Sequence, residues 1–398
     1  MPVPRLHRVT IDPDRARADT PGTATVAHLN NAGSALRPRV VTDTVLAHLR
    51  REDEIGGYEA EDEARDRLVA VYGSVATLVG AHADEIALVE SATVAWDVAF
   101  ASIPLRAGQR ILTARTEYVS NAIALLQACE RTGATLEVIE DDEQGQVDVD
   151  ALAARLDDDV ALVALTHVAT GGGLVNPAAA VGRLTRAAGV PYLLDACQSV
   201  GQLHVDVDEL GCDLLAATGR KFLRGPRGTG FLYASRAITP RLVPPVLGLD
   251  AATWTSPTTW EPAPDARRFE TWERNVAGLL GLGAAADYAL AWGTRAIEAS
   301  VVERGERLRG MLGDVPGVTV RDKGVERCAI VTFTVDGVPA AVVRDALRAS
   351  GVNVSVTRST SSQLDLAARG LTEVVRASPH YYTSDDELER AVAALPRR

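Results

Sequence analysis

Two spacings of apolar residues alternate along the first two-thirds of this chain. In residues 37–54 (RPRVVTDTVLAHLRREDE) and 61–80 (EDEARDRLVAVYGSVATLVG) apolar positions recur every three or four, the period of a helix with one buried face. Elsewhere the apolar residues come in short unbroken runs: EIALVE, QRILTAR, VALVALTHV, VPYLLDA, CDLLAATG and GTGFLYAS. Runs of that length read as strands buried on both faces. Strands alternating with helices imply crossover connections and a mostly parallel sheet covered on both sides.

The pattern then changes. Residues 240–265, rich in Pro, Thr and Trp, predict an irregular connection. Helical spacing resumes at NVAGLLGLGAAADYALAWG and AIEASVVERGERLRGMLGDV, followed by strands in GVTVRD and CAIVTFTV. A helix in PAAVVRDALRASG, a strand in VNVSVT and a last helix in SDDELERAVAAL complete a shorter alternation, suited to a small α+β domain. No internal repeat or low-complexity segment interrupts this order.

Composition narrows the partners. The chain has 398 residues, 46% hydrophobic and 24% charged, with a formal charge of −12. That balance argues against a nucleic-acid partner held by phosphate neutralisation. No apolar run approaches the ~20 residues of a membrane span, and the charged start has no signal-peptide core, so a cytoplasmic protein without a membrane partner is expected. Cys129, Cys197, Cys212 and Cys328 are widely spaced and read as isolated small hydrophobes of a reducing compartment. The seven histidines show no ligand spacing, so no metal site is expected.

Candidate chemistry lies at the C-terminal ends of the predicted strands, where open α/β sheets bind ligands. VESAT runs into a helical stretch, putting Ala92, Thr93 and their amides at a helix N-terminus suited to a phosphate, or Thr93 in a plain capping role. LLDACQS ends its strand on Asp195, with Gln198 three residues on. Asp195 could cap a helix or hold a protonated heterocycle nitrogen. The segment AATGRKF ends the next strand with Thr218, Arg220 and Lys221. Lys221 is one of only two lysines among 41 basic residues, the other being Lys323. Arginine would serve for charge alone, whereas only lysine readily forms an imine. An imine-forming lysine, an acid for a ring nitrogen and a phosphate pocket together fit pyridoxal 5'-phosphate.

The motifs TEYVSN, THVATGGG, LLDACQSVG, ATGRKFLRGPRGTGFLY, RRFETWERN and VVRASPHYY, in this order, resemble those of the class V aminotransferase and cysteine desulfurase family. The resemblance runs from about residue 29 to the C-terminus. It implies a pyridoxal-phosphate fold-type I enzyme of the aspartate aminotransferase-like α/β class, with a mostly parallel seven-stranded sheet. It also implies domains over residues 29–265 (large, cofactor-binding) and 266–398 (small, α+β), with residues 1–28 packing on the small one. A homodimer with active sites at the interface is part of the same implication. By position, Lys221 matches the Schiff-base lysine, Asp195 the pyridine-nitrogen partner and Gln198 the partner of the ring hydroxyl. Tyr118 matches the ring-stacking position, and Ala92, Thr93, Thr218 and Arg220 match phosphate contacts. Thr170 stands where an asparagine usually meets the cofactor. Arg376 matches the arginine for the substrate carboxylate, and Asn31 falls among the substrate-binding positions.

Histidine is usual at the position of Arg220. Three departures bear on activity, the first being Thr170 in HVATGGG. Glu273 replaces a threonine that reaches the partner subunit's phosphate, and a carboxylate does not suit that contact. The loop SVTRSTSSQLDLAARGL holds no cysteine, where desulfurases carry their nucleophile. His167 reads as a structural member of its strand end, and Lys323 as solvated. The loop, together with EIGGYEAE and GRKFLRGPRGTG, looks most like actinobacterial C–S lyases such as hercynylcysteine sulfoxide lyase. The function expected from these features is cleavage of the Cβ–S bond of an S-substituted cysteine to thiol, pyruvate and ammonia. Epimerisation, transamination or oxidative deamination are the alternatives, and persulfide-forming desulfuration is argued against.

Overall fold

The computed structural model describes residues 10–396. Its centre is a seven-stranded sheet: β1 (Ile86–Val89), β2 (Arg110–Thr113), β3 (Thr135–Val138), β4 (Val160–Thr166), β5 (Tyr192–Asp195), β6 (Leu214–Thr218) and β7 (Gly230–Ala234). The spatial order is β1-β7-β6-β5-β4-β2-β3. β7 runs antiparallel to both neighbours; the other pairs are parallel. Strands β1, β5, β6 and β7 are buried at every position, which is why they read as continuous apolar runs rather than alternating ones. The order also brings the ends of β1, β4, β5 and β6 to one edge of the sheet, where the candidate side chains lie.

Helices α1 (Arg39–Ile55), α2 (Gly57–Val79), α3 (Ala92–Ala101), α4 (Val119–Thr132) and α5 (Ala178–Ala188) cover the sheet. They are followed by α6 (Val276–Trp292), α7 (Thr294–Gly313), α8 (Ala340–Ala349) and α9 (Asp385–Ala393). Helix α6 packs on α1 and α2 and shares the large core with Val41, Val71 and Val75. It is apolar nearly all round, as a core helix must be. The chain bends by 83° between α6 and α7. Ile297 and Val301 of α7 still belong to the large core, whereas Leu308 and Leu312 further along the same helix join the core of the second layer, so α7 bridges the two.

The second layer is a four-stranded antiparallel sheet of β10 (Val318–Val320), β11 (Val331–Val335), β12 (Ser355–Arg358) and β13 (Glu373–Ala377), in the order β10-β11-β13-β12. The early chain joins it: Ala27–His28 pairs in parallel with Val352–Asn353, and Arg17 Nη1 donates to Glu387 at 2.8 Å. Residues 1–9 of the expected N-terminal segment lie outside the described residues.

The connection expected to be irregular contains a hairpin, β8 (Ala252–Ser256) with β9 (Thr259–Pro262). Trp254 and Trp260 face each other across it. Cross-strand aromatic pairing and the β-preference of Thr and Trp outweigh the prolines, which fall at the ends.

Candidate active site

Lys221 follows β6 in a turn clamped by backbone bonds. Arg224 N–H donates to the Lys221 carbonyl (2.9 Å), Gly225 N–H to Gly219 (2.7 Å), and Ala35 N–H to Arg220 (2.9 Å). Arg224 itself is fully buried with φ +66. Its guanidinium donates to the Leu36 carbonyl (2.9 Å), to the Tyr381 hydroxyl (2.6 Å) and to Thr20. A strained, buried arginine thus ties the lysine turn to both ends of the chain. Sequence reading missed it, because a guanidinium in a glycine-rich turn looks solvated until its partners are brought in.

The Lys221 side chain is buried, forms no ion pair among the described residues, and stands 5.9 Å from the centroid of the Tyr118 ring. Burial lowers its pKa from the lysine range; Cys197 and Asp195 oppose that shift. Asp195 ends β5, where Oδ1 accepts from Cys197 N–H and Oδ2 from Asn121 Nδ2, both at 2.9 Å. Gln198 Nε2 donates to the Ala32 carbonyl (3.1 Å) and to Thr170 Oγ1 (3.3 Å).

At the start of α3, Ser91 caps the helix, its Oγ accepting from Val94 N–H at 3.2 Å. Ser91, not Thr93, is the cap. Thr93 is exposed in the first turn, and the amides of Ala92 and Thr93 take no backbone partner among the described residues. Gly230 on β7 closes against this turn: a Cβ there would lie 2.8 Å from Ser91 C and 3.0 Å from Ala92 N. Thr218 is buried beside it, its hydroxyl 3.3 Å from the Thr229 carbonyl.

Arg376 on β13 reaches in from the small sheet. Nε donates to Ser355 Oγ (3.1 Å), Nη1 to the Thr170 carbonyl (3.2 Å) and Nη2 to Asn30 Oδ1 (3.5 Å). Burial, reinforced by the charge of Arg220 and opposed by Tyr118, lowers its pKa to about 10. Asn31 does not fit its expected substrate role. It is fully buried, donates to the carbonyls of His28 (3.1 Å) and Ser378 (2.7 Å), and accepts from the Tyr382 hydroxyl. Asn30 stands by Arg376 instead. One residue of register in the NN pair decides which stands beside Arg376, and the bridge from Asn30 to Ser378 sets it.

His167 is buried against Ser199 (Nδ1 to Oγ, 2.9 Å), and burial lowers its pKa to about 4. Lys323, expected to be solvated, is partly covered between Asp141 (3.8 Å) and Asp365 (3.9 Å). Cys197 is half-buried beside Asp195; burial, then the Asp195 charge, raises its thiol to about 12. His204, Asp206 and Glu209 bring ligand atoms within 4.8 Å of one another. Bonds to Thr294, to a helix start and to Arg295 already occupy them.

These residues fit pyridoxal 5'-phosphate on structural grounds. Arg220 Nη1 and Gln198 Oε1 are buried without a hydrogen-bond partner among the described residues, one at each position matched to the cofactor's polar groups. Together with the free amides of α3 and the unpaired Lys221 amine, they leave a donor and acceptor set that a phosphorylated pyridine completes.

The family description "Aminotransferase class-V" matches residues 27–391, and the chain belongs to that family of pyridoxal-phosphate enzymes. A protein of Xylella fastidiosa (strain 9a5c) named probable cysteine desulfurase is 31% identical over 96% of this chain and 95% of its own length. The apo structure of a cysteine desulfurase from Thermococcus onnurineus superposes with a TM-score of 0.90, covering 96% of this chain and 97% of that one at 24% identity. The protein C-DES, solved with glycine covalently linked to its pyridoxal phosphate, superposes with a TM-score of 0.85 over 96% and 98% at 23% identity. At these identities the superpositions establish the fold-type I architecture and no more.

The full-length similarity to a cysteine desulfurase overturns the expectation of a C–S lyase with desulfuration set aside. That expectation rested on the likeness of EIGGYEAE and GRKFLRGPRGTG to C–S lyases and on a loop without cysteine. A missing loop thiol removes one sulfur acceptor and leaves Lys221, Asp195 and Arg376 in place.

Proposed function

We propose that this enzyme takes sulfur from L-cysteine and passes it to a thiol supplied from outside the chain. The atoms balance as L-cysteine plus R–SH giving L-alanine plus R–S–SH. The observation that carries the reading is the closeness of the buried Lys221 amine to the charges of Asp195 and Arg376, in a chain similar end to end to a cysteine desulfurase.

Bound at Lys221, pyridoxal phosphate supplies an electron sink for charge developing at the amino acid's α-carbon. Arg376 holds the α-carboxylate with a planar fork whose present partners are all neutral oxygens. That fixes which bond at the α-carbon faces the lysine. The Lys221 amine, its pKa lowered by burial, takes and returns the α-proton. Asp195 would pair with the ring nitrogen of the bound cofactor, and Tyr118 would bound the ring. An external acceptor is favoured by where the thiols lie. Cys212 and Cys328 are in the core, Cys129 is on α4, and the Cys197 thiol holds its proton.

Desulfuration is tested by incubating the enzyme with L-cysteine and dithiothreitol and assaying alanine and sulfide against a Lys221→Ala control. Alanine above the control supports the reading. Pyruvate in place of alanine would sink it.

The proposal extends to a homodimer. Trp254, Trp260, Trp272, Val246 and Leu249 are exposed, an apolar set that a second copy would cover. Glu273 is exposed close by in sequence to Trp272, so a phosphate contact from the partner at that position would have to come from another group. Sedimentation at micromolar concentration reads the state directly; a monomer defeats the extension.

A further inference from the structure

Behind the cofactor-facing residues lies a second carboxylate. Glu117 is buried between β2 and α4 and is not matched to any cofactor contact. Its Oε1 accepts from Thr166 Oγ1 (2.6 Å), Tyr118 N–H (2.7 Å) and Asn121 Nδ2 (2.9 Å), and its Oε2 from Thr113 Oγ1 (2.8 Å). The same Asn121 Nδ2 donates to Asp195 Oδ2 at 2.9 Å. One amide therefore spends its two hydrogens on two acids. The flipped amide would point an oxygen at both, so chemistry fixes its orientation.

We propose that Glu117 and Asn121 are positioning residues for Asp195, an acid–amide–acid chain that holds this carboxylate square to the ring nitrogen of the cofactor. The inference rests on the reading that Asp195 meets that nitrogen.

Three observations carry it. Among the described residues Asp195 has two donors, one from its own strand end and one from Asn121, so Asn121 sets the rotation of Oδ2 from outside β5. Asn121 is in turn locked by Glu117, which also takes the backbone N–H of Tyr118. One buried acid thus fixes both the group opposite the ring nitrogen and the start of the residue matched to the ring face. Finally, packing alone gives no reason for a carboxylate here. Burial pushes its pKa up, and the Asp195 charge adds to the cost. A hydrophobe of similar volume would fill the space more cheaply. The chain of bonds accounts for an acid at this place: only an acceptor without hydrogens takes four donors at once.

The test compares two cofactors in the wild type, Asn121→Ser, Glu117→Gln and Asp195→Ala. The cofactors are pyridoxal 5'-phosphate and its 1-deaza analogue, which lacks the ring nitrogen. Dissociation constants come from absorbance titration of the apo-proteins. Asn121→Ser should weaken pyridoxal phosphate about tenfold, as loss of one charge-assisted hydrogen bond implies, and leave the deaza analogue unchanged. Glu117→Gln should show the same selectivity to a smaller extent, and serves if Asn121→Ser does not fold. Equal weakening of both cofactors, or of neither, overturns the proposal. Selectivity in Asp195→Ala without it in the two variants sinks the supporting role alone. No selectivity in Asp195→Ala removes the pairing of Asp195 with the ring nitrogen itself.

Discussion

Arg376 Nη1 lies 3.2 Å from the carbonyl oxygen of Thr170, and the guanidinium has no carboxylate partner among the described residues. A buried cation held only by neutral oxygens is a receptor for an anion. Replacing it with alanine should raise the KM for L-cysteine about 10- to 100-fold, the range for a charge-assisted hydrogen bond of ~1.5–3 kcal/mol. Arg376→Lys keeps the charge but not the fork and should recover only part of the loss. Steady-state kinetics with cysteine against cysteamine, which lacks the carboxylate, checks this: the variant should discriminate less between them.

Lys221→Arg retains a cation in the same turn and should abolish turnover together with the visible band of the bound cofactor, because a guanidinium stays protonated. In the wild type the pH dependence has a defined sign. A protonated amine cannot attack, and burial lowers the pKa from the lysine range. The rate of cofactor attachment to the apo-protein should therefore rise with pH and level off below pH 10.5. Stopped-flow absorbance across that range reads the midpoint.

Cys197 touches the site, yet its thiol is raised to about 12 and stays protonated at neutral pH. Cys197→Ser should change alanine formation less than about threefold, since the thiolate is the nucleophile and is absent in the wild type. Mass spectrometry of the enzyme after turnover should find no added sulfur on residue 197. A persulfide there would reverse this reading of the acceptor.

His167 carries a pH signature of a different kind. Its folded pKa of about 4 lies below the ordinary histidine value of 6.5, so between those limits the unfolded chain binds more protons. Stability is full above pH 6.5 and is lost as pH falls toward 4. The loss is at most about 3 kcal/mol for this one group. Urea unfolding at pH 7.5 and pH 5 should show the decline, and His167→Gln should flatten it.

Much of the scaffold is legible in the sequence. Strands β1, β2, β4, β5, β6 and β7 stand out because burial on both faces leaves no polar position to break the run. Strand β3 hides because it is the sheet edge, with its first residue exposed and the rest half-buried. The hairpin of β8 and β9 hides for a related reason: its pairing partner is local, but its faces are open and carry no core signal.

The site divides in the same way. Lys221, Asp195, Gln198, Thr218 and the Ala92–Thr93 turn are legible because each ends a strand or opens a helix, so local order along the chain tells where they lie. Asn30 and Asn31 are adjacent and chemically identical, and nothing local says which one stands beside Arg376. Arg224, Glu117 and Asn121 act through partners 40 to 200 residues away or through a shared amide.

The sequence by itself determined the periodicities, the order of the motifs and the residue types that pyridoxal chemistry needs, because these are properties of short stretches. Only the tertiary structure decided which polar atoms are satisfied. It spent Asn31 on the fold, left Arg220 and Gln198 with unpaired buried atoms, and put one amide between Glu117 and Asp195. Hydrogen bonding and desolvation depend on what packs against a group from distant parts of the chain, and that is settled only when β4, β5, α4 and the small sheet close on one another.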